Sequence, residues 1–159
     1  MKQILSILEK NSHATPEQIA SMLGRTVKDV KKSITKLEEE GVIVGYQTLI
    51  DWEKTEFNRV TAFIELRVTP QRGEGFDKIA ERIYQYPQVK TLWLMSGSFD
   101  IGLIVEGTTM KEVALFVAEK LAPMDSVIST GTHFVLKTYK DAGKIYEKPK
   151  ADERGIISL

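Results

Sequence analysis

The chain has 159 residues, 42% hydrophobic and 28% charged, with 22 lysines plus arginines against 22 aspartates plus glutamates. This is the composition of one medium or two small globular domains. It excludes a disordered chain and, through its zero net charge, a nonspecific polycation. Cysteine is absent, which removes disulfide scaffolds, thiol nucleophiles, iron–sulfur clusters and thiolate-ligated zinc. The N-terminal apolar stretch is too short for a signal peptide and no run approaches the ~18 residues of a membrane span. A cytoplasmic protein without a membrane partner is expected.

The first 46 residues predict a winged helix-turn-helix. Ile4, Leu5 and Leu8 form the apolar stripe of a short helix ending near Asn11. Thr15-Pro16-Glu17-Gln18 then carries the signature of a capping box with proline in the first turn, and Gly24 closes that second helix. Thr26 is the expected cap of a third helix, in which Val27, Val30, Ile34 and Leu37 recur at helical spacing before Glu38-Glu39-Glu40-Gly41 ends it. Val42-Ile43-Val44-Gly45-Tyr46 is expected to form a β-hairpin wing with Gly45 at its turn.

Charge on the third helix points to nucleic acid. Between Arg25 and Lys36 stand five basic residues (Arg25, Lys28, Lys31, Lys32, Lys36) and one acidic residue, Asp29, a local net of +4 in a neutral chain. Lys28, Lys31, Lys32, Thr35 and Lys36 avoid the apolar stripe and can meet double-stranded DNA together, with Arg25 and Thr26 at the helix entrance. A lysine-dominated face favours phosphate contact over base readout. The alternative is an ordinary solvated helix face.

Residues 47–58 read as a linker strand ahead of a second module over 59–140. Val60, Ala62, Ile64, Leu66 and Val68 alternate along a strand over 60–68. Phe76, Ile79, Ala80, Ile83 and Tyr84 trace an amphipathic helix stopped by Pro87. Strands over 89–95 and 99–106 flank Ser96-Gly97-Ser98, a helix runs from Met110 to Leu121, and a last strand covers 127–138. The order β-α-β-β-α-β predicts a ferredoxin-like α+β domain, with both helices on one face of the sheet. The strands are apolar on both faces, with Phe63 opposing Ile64 and Trp93 opposing Leu92 and Leu94, so the uncovered face predicts a homo-oligomer. Residues 141–159 form a tail of mixed charge ending in Ile156-Ile157, read as a mobile end or a docking strand.

The run Leu37-Glu38-Glu39-Glu40-Gly41-Val42-Ile43-Val44-Gly45-Tyr46, then Leu49-Ile50-Asp51 and Gly97-Ser98-Phe99-Asp100, resembles the Lrp/AsnC (leucine-responsive, feast/famine) transcriptional regulators over residues 1 to 140. The resemblance implies DNA-binding dimers that assemble further, often to octamers. It also implies a C-terminal module of the regulation-of-amino-acid-metabolism type, which takes an amino acid or related effector where subunits meet. Carried onto this chain, the effector residues are Ser96, Gly97, Ser98, Phe99 and Asp100, with Thr130 and Thr132 next. Asp100 would pair with an α-ammonium group, and Ser98 with nearby amides would take a carboxylate. The same Ser-Gly-Ser serves any tight hairpin, and an aspartate after it often only bonds the turn backbone. Ser12-His13-Ala14-Thr15 departs from the arginine-containing turn usual in the family, so base contacts are not carried over.

Two other functions fit the architecture. One is a DNA-organising protein without an effector. The other is an enzyme like the sirohaem decarboxylases, for which only His13 and His133 are available and lie in separate modules. Neither catalytic residues nor a cofactor or metal is expected.

Overall fold

The computed structural model describes residues 1–70 and 75–146, in two units, Met1–Ile50 and a second beginning at Asp51. The first unit holds α1 (Lys2–Lys10), α2 (Pro16–Leu23) and α3 (Val27–Glu39). Ile4, Leu8, Ala14, Ile19, Ala20 and Val30 are its buried core, with Ile7, Leu23, Val27, Ile34 and Ile43 packed around them. The capping box forms as expected. Thr15 Oγ1 accepts from Gln18 N (3.2 Å) while Gln18 Oε1 accepts from Thr15 N (2.9 Å), which satisfies two amides that the helix itself leaves unpaired.

The hairpin expected at Val42–Tyr46 does not form. Gly41, at φ +67°, occupies the left-handed region after α3, and its amide bonds Glu38 O (3.0 Å). The amides of Val42 and Ile43 both bond Leu37 O (2.9 and 3.0 Å). This is a Schellman-type helix end, and it takes up the N–H groups that a strand ladder would need. Gly41, not Gly45, is therefore the turning glycine. Residues 44–51 have no strand pairing either, and the linker contains a single 3₁₀ turn at Trp52–Lys54 instead of a strand.

The second unit is built on β1 (Val60–Val68), α4 (Gly75–Tyr84), β2 (Val89–Leu94), β3 (Ile101–Gly107), α5 (Met110–Phe116) and β4 (Val127–Phe134). The sheet order is β2-β3-β1-β4, antiparallel throughout, the ferredoxin-like arrangement. Helix α5 continues as a π-helical turn over Val117–Leu121, which keeps Val117 and Leu121 in the core. Ala62, Ile64, Leu66 and Val68 of β1, Ile101, Leu103 and Val105 of β3, and Ile79, Ile83, Val113 and Phe116 of the helices close that core. A fully buried Ile or Leu side chain contributes about 1.5–3 kcal/mol here.

The last strand ends at Phe134, four residues before its expected limit. A short hairpin follows, β5 (Lys140–Asp141) with β6 (Lys144–Ile145), turning on Ala142 and Gly143, both with positive φ. The beginning of the predicted tail is thus a hairpin, and its remainder, 147–159, lies outside the described residues. No helix among the described residues is long and apolar enough to cross a membrane.

Candidate nucleic-acid interface and effector loop

Helix α3 carries its buried stripe through Val30 and Leu37, and every lysine on it is exposed. At 100° per residue, Lys28, Lys32 and Thr35 share an arc of about 60°, with Lys36 and Lys31 about 40° beyond on either side. Thr26 is the helix cap: its Oγ1 accepts from Asp29 N (3.1 Å) and donates to Asp29 Oδ2 (2.7 Å). The acidic residue of the segment is thereby held at the helix entrance, off the lysine arc. Arg25 Nη2 donates to Ser33 Oγ (3.4 Å), which carries its guanidinium along α3 to the middle of the helix.

Two of the five cations have carboxylate partners. Lys36 Nζ lies 3.6 Å from Glu40 Oε1, one turn on, and Lys31 Nζ lies 3.1 Å from Glu17 Oε1 in the first turn of α2. Hydrogen bonding at the start of α2 and then the Lys31 ammonium hold the Glu17 carboxyl below its ordinary pKa. Lys28 and Lys32 have no carboxylate within ion-pair distance among the described residues. The lysine face is a surface in search of anions, with its middle most available.

In the second unit, Ser96, Gly97 and Ser98 are exposed in the β2–β3 turn, and Gly97 has φ +141°. Phe99 turns back onto the sheet, edge-on to Phe63 at 5.8 Å. Asp100 is committed to the backbone: its Oδ2 accepts from Val68 N (2.8 Å), its N–H bonds Leu66 O (2.9 Å) and its carbonyl accepts from Met95 N (2.7 Å). These bonds close the turn between β2 and β3, which begins at Ile101 rather than at Phe99.

Thr130 and Thr132 do not join this loop. Their register partners are Leu66 and Ile64, whose side chains point into the core, so both threonines lie on the helix-covered side of β4. The uncovered side of that strand belongs to Gly131 and His133, opposite Glu65 and Phe63. There His133 Nε2 lies 3.4 Å from Glu65 Oε1, and the imidazole sits 6.3 Å from the Phe63 ring. Glycine at 102 has a steric reason, since a Cβ there would meet Phe63 at 3.1 Å. Sequence reading noted Phe63 and the two-sided sheet but did not join Glu65 and His133. The alternation that places both on one face was already visible.

The structure also holds an open cleft of about 480 Å³ at the other end of the sheet, lined by Trp52, Phe57, Arg59, Gln88, Glu106 and their neighbours. Arg59 pairs with Glu106 and stacks 4.6 Å over Trp52. The sequence carried no motif for it, because its walls come from three separate segments.

Residues 61–145 match the family model described as the Lrp/AsnC ligand binding domain, and residues 1–44 match one described as a winged helix-turn-helix DNA-binding module. The chain is 48% identical over 157 residues to an uncharacterized HTH-type transcriptional regulator of Bacillus subtilis, YugG, covering 98% of this chain and 95% of that one. It is 27% identical to the leucine-responsive regulatory protein of Rhizobium meliloti, over 90% of this chain and 91% of the relative. Among solved structures, the fold matches the regulator NMB0573 of Neisseria meningitidis, described as a complex with L-Met. The TM-score is 0.71 at 22% identity, covering 92% of each chain.

Proposed function

The chain belongs to the Lrp/AsnC family of HTH-type transcriptional regulators, and on that footing we propose that it binds double-stranded DNA through α3 while a small effector, an amino acid, modulates its assembly or DNA affinity through the second unit. The observation that carries the reading is the local net of +4 from Arg25 to Lys36, across the entrance and the exposed face of a capped helix, in a chain of zero net charge. Arg25, Thr26, Lys28, Lys31, Lys32, Thr35 and Lys36 form the contact set, with Lys28 and Lys32 at its centre. The lysines neutralise phosphates, and the N-terminal end of the helix is directed at the major groove.

The effector class rests on the matched ligand-binding family model and on a relative whose name is leucine-responsive. In this chain the ligand would meet Ser96, Gly97, Ser98 and Phe99, with Asp100 holding the loop rather than reaching for the ligand. Thr130 and Thr132 would shape the edge strand from its core side. The uncovered sheet face supports self-association: Trp93 is 45% exposed on it, beside Phe63, Ile104 and the His133–Glu65 pair.

The test is a salt titration of duplex DNA binding by the native chain and by Lys28→Gln/Lys32→Gln, each with and without pooled amino acids. Each lost phosphate contact should lower the log–log slope by about 0.9. The double variant should bind more weakly and with a shallower slope. Native binding or sedimenting mass should also change with at least one amino acid. A double variant indistinguishable from the native chain would remove α3 from the interface, and indifference to every amino acid would favour a DNA-organising role.

A further inference from the structure

We infer that Glu17 is a brake on sequence-independent DNA binding: its carboxylate, carried on the helix before α3, competes with the phosphate backbone for Lys31. The inference rests on the reading of α3 as the DNA-contacting helix and goes beyond it, because Glu17 lies outside the basic segment and would not enter any list of contacts.

The geometry is specific to the tertiary arrangement of the first unit. Lys31 lies at the margin of the lysine arc, turned toward α2, and its ammonium is 3.1 Å from Glu17 Oε1. Both side chains are exposed, about 60% each, so the pair is available to solvent and to an approaching duplex. The Glu17 backbone is fixed by the Thr15–Gln18 capping box and by Pro16, so the carboxylate is presented from a rigid first turn rather than from a loose loop.

A phosphate approaching Lys31 therefore meets a cost. Lys31 must exchange a carboxylate for a phosphate, which gains less than neutralising an unpaired lysine. The cost acts through phosphates, so it weakens every sequence alike, and a larger share of the affinity must come from contacts that read bases. A surface pair of this kind adds little to folding. Its position next to the DNA face gives it an effect on binding instead.

The experiment uses the full chain and a random-sequence duplex, with Glu17→Gln, Lys31→Gln and the double variant measured over a range of salt. Glu17→Gln should bind about two- to fivefold more tightly at low salt, with a slope steeper by up to about 0.9 as Lys31 gains a phosphate. Lys31→Gln should weaken binding, and the double variant should match Lys31→Gln alone, since the brake works through that lysine. Equal affinity and slope for Glu17→Gln and the native chain overturn the inference. So does a gain that persists in the Lys31→Gln background, which would make Glu17 a simple repulsive charge. A native chain that binds the duplex and responds to Lys28 and Lys32, yet ignores Glu17, fails this inference alone. A native chain that ignores the duplex fails both readings.

Discussion

The two units bury apolar surface on different plans. In the first, each helix has one apolar side and one polar side, so a single core of Ile4, Leu8, Ile19 and Val30 leaves the lysines of α3 outside. In the second, every sheet residue faces one of two sides. Ala62, Ile64, Leu66 and Val68 meet the helices, while Phe63, Ile104 and Trp93 are equally apolar on the side that no helix among the described residues covers. The helical unit is distinguished by a charged face, and the sheet unit by an apolar face that no helix among the described residues covers.

Adjacent residues of β1 put that difference to a direct test. Ile64, fully buried, should lose about 2–5 kcal/mol of stability as Ile64→Ala, read from denaturant unfolding. Phe63→Glu should instead keep a cooperative fold while the sedimenting mass falls toward that of a single chain. If Phe63→Glu unfolds as readily as Ile64→Ala, the two faces of the sheet are not different in kind.

Asp100 sharpens the same contrast at the loop. Removing the acceptor of the Val68 amide in Asp100→Ala should cost about 1–3 kcal/mol, and Asp100→Asn should recover most of it through its amide oxygen. An effector response that survives in Asp100→Asn marks a positioning residue. Loss of the response with stability retained would give Asp100 a direct ligand contact. The smallest effect belongs to the first unit, where Thr15→Ala should cost about 1 kcal/mol in thermal unfolding by opening the capping box.

Much of this was legible from the residues. The capping pattern at Thr15 and Gln18, the glycine stop at Gly24 and the period-two run of β1 each act within a few residues, so local chemistry suffices to read them. The hairpin expected at Val42–Tyr46 failed for a local reason as well: Val42 and Ile43 have strand character, but their amides are taken by the end of α3. Thr130 and Thr132 illustrate a different limit. The resemblance offered them as effector residues, and only the register against Leu66 and Ile64 shows them on the core side of the strand.

By itself, then, the sequence determined the order of the three N-terminal helices and of the β-α-β-β-α-β elements, the α+β class of the second unit, the basic face of α3 and the family, because periodicity, caps and charge are properties of neighbouring residues. The tertiary structure alone decided that Asp100 spends its carboxylate on Val68, that Glu65 stands beside His133, and that Glu17 reaches Lys31. Each of these joins residues brought together by strand register or helix packing, and no local pattern encodes where a second segment will lie.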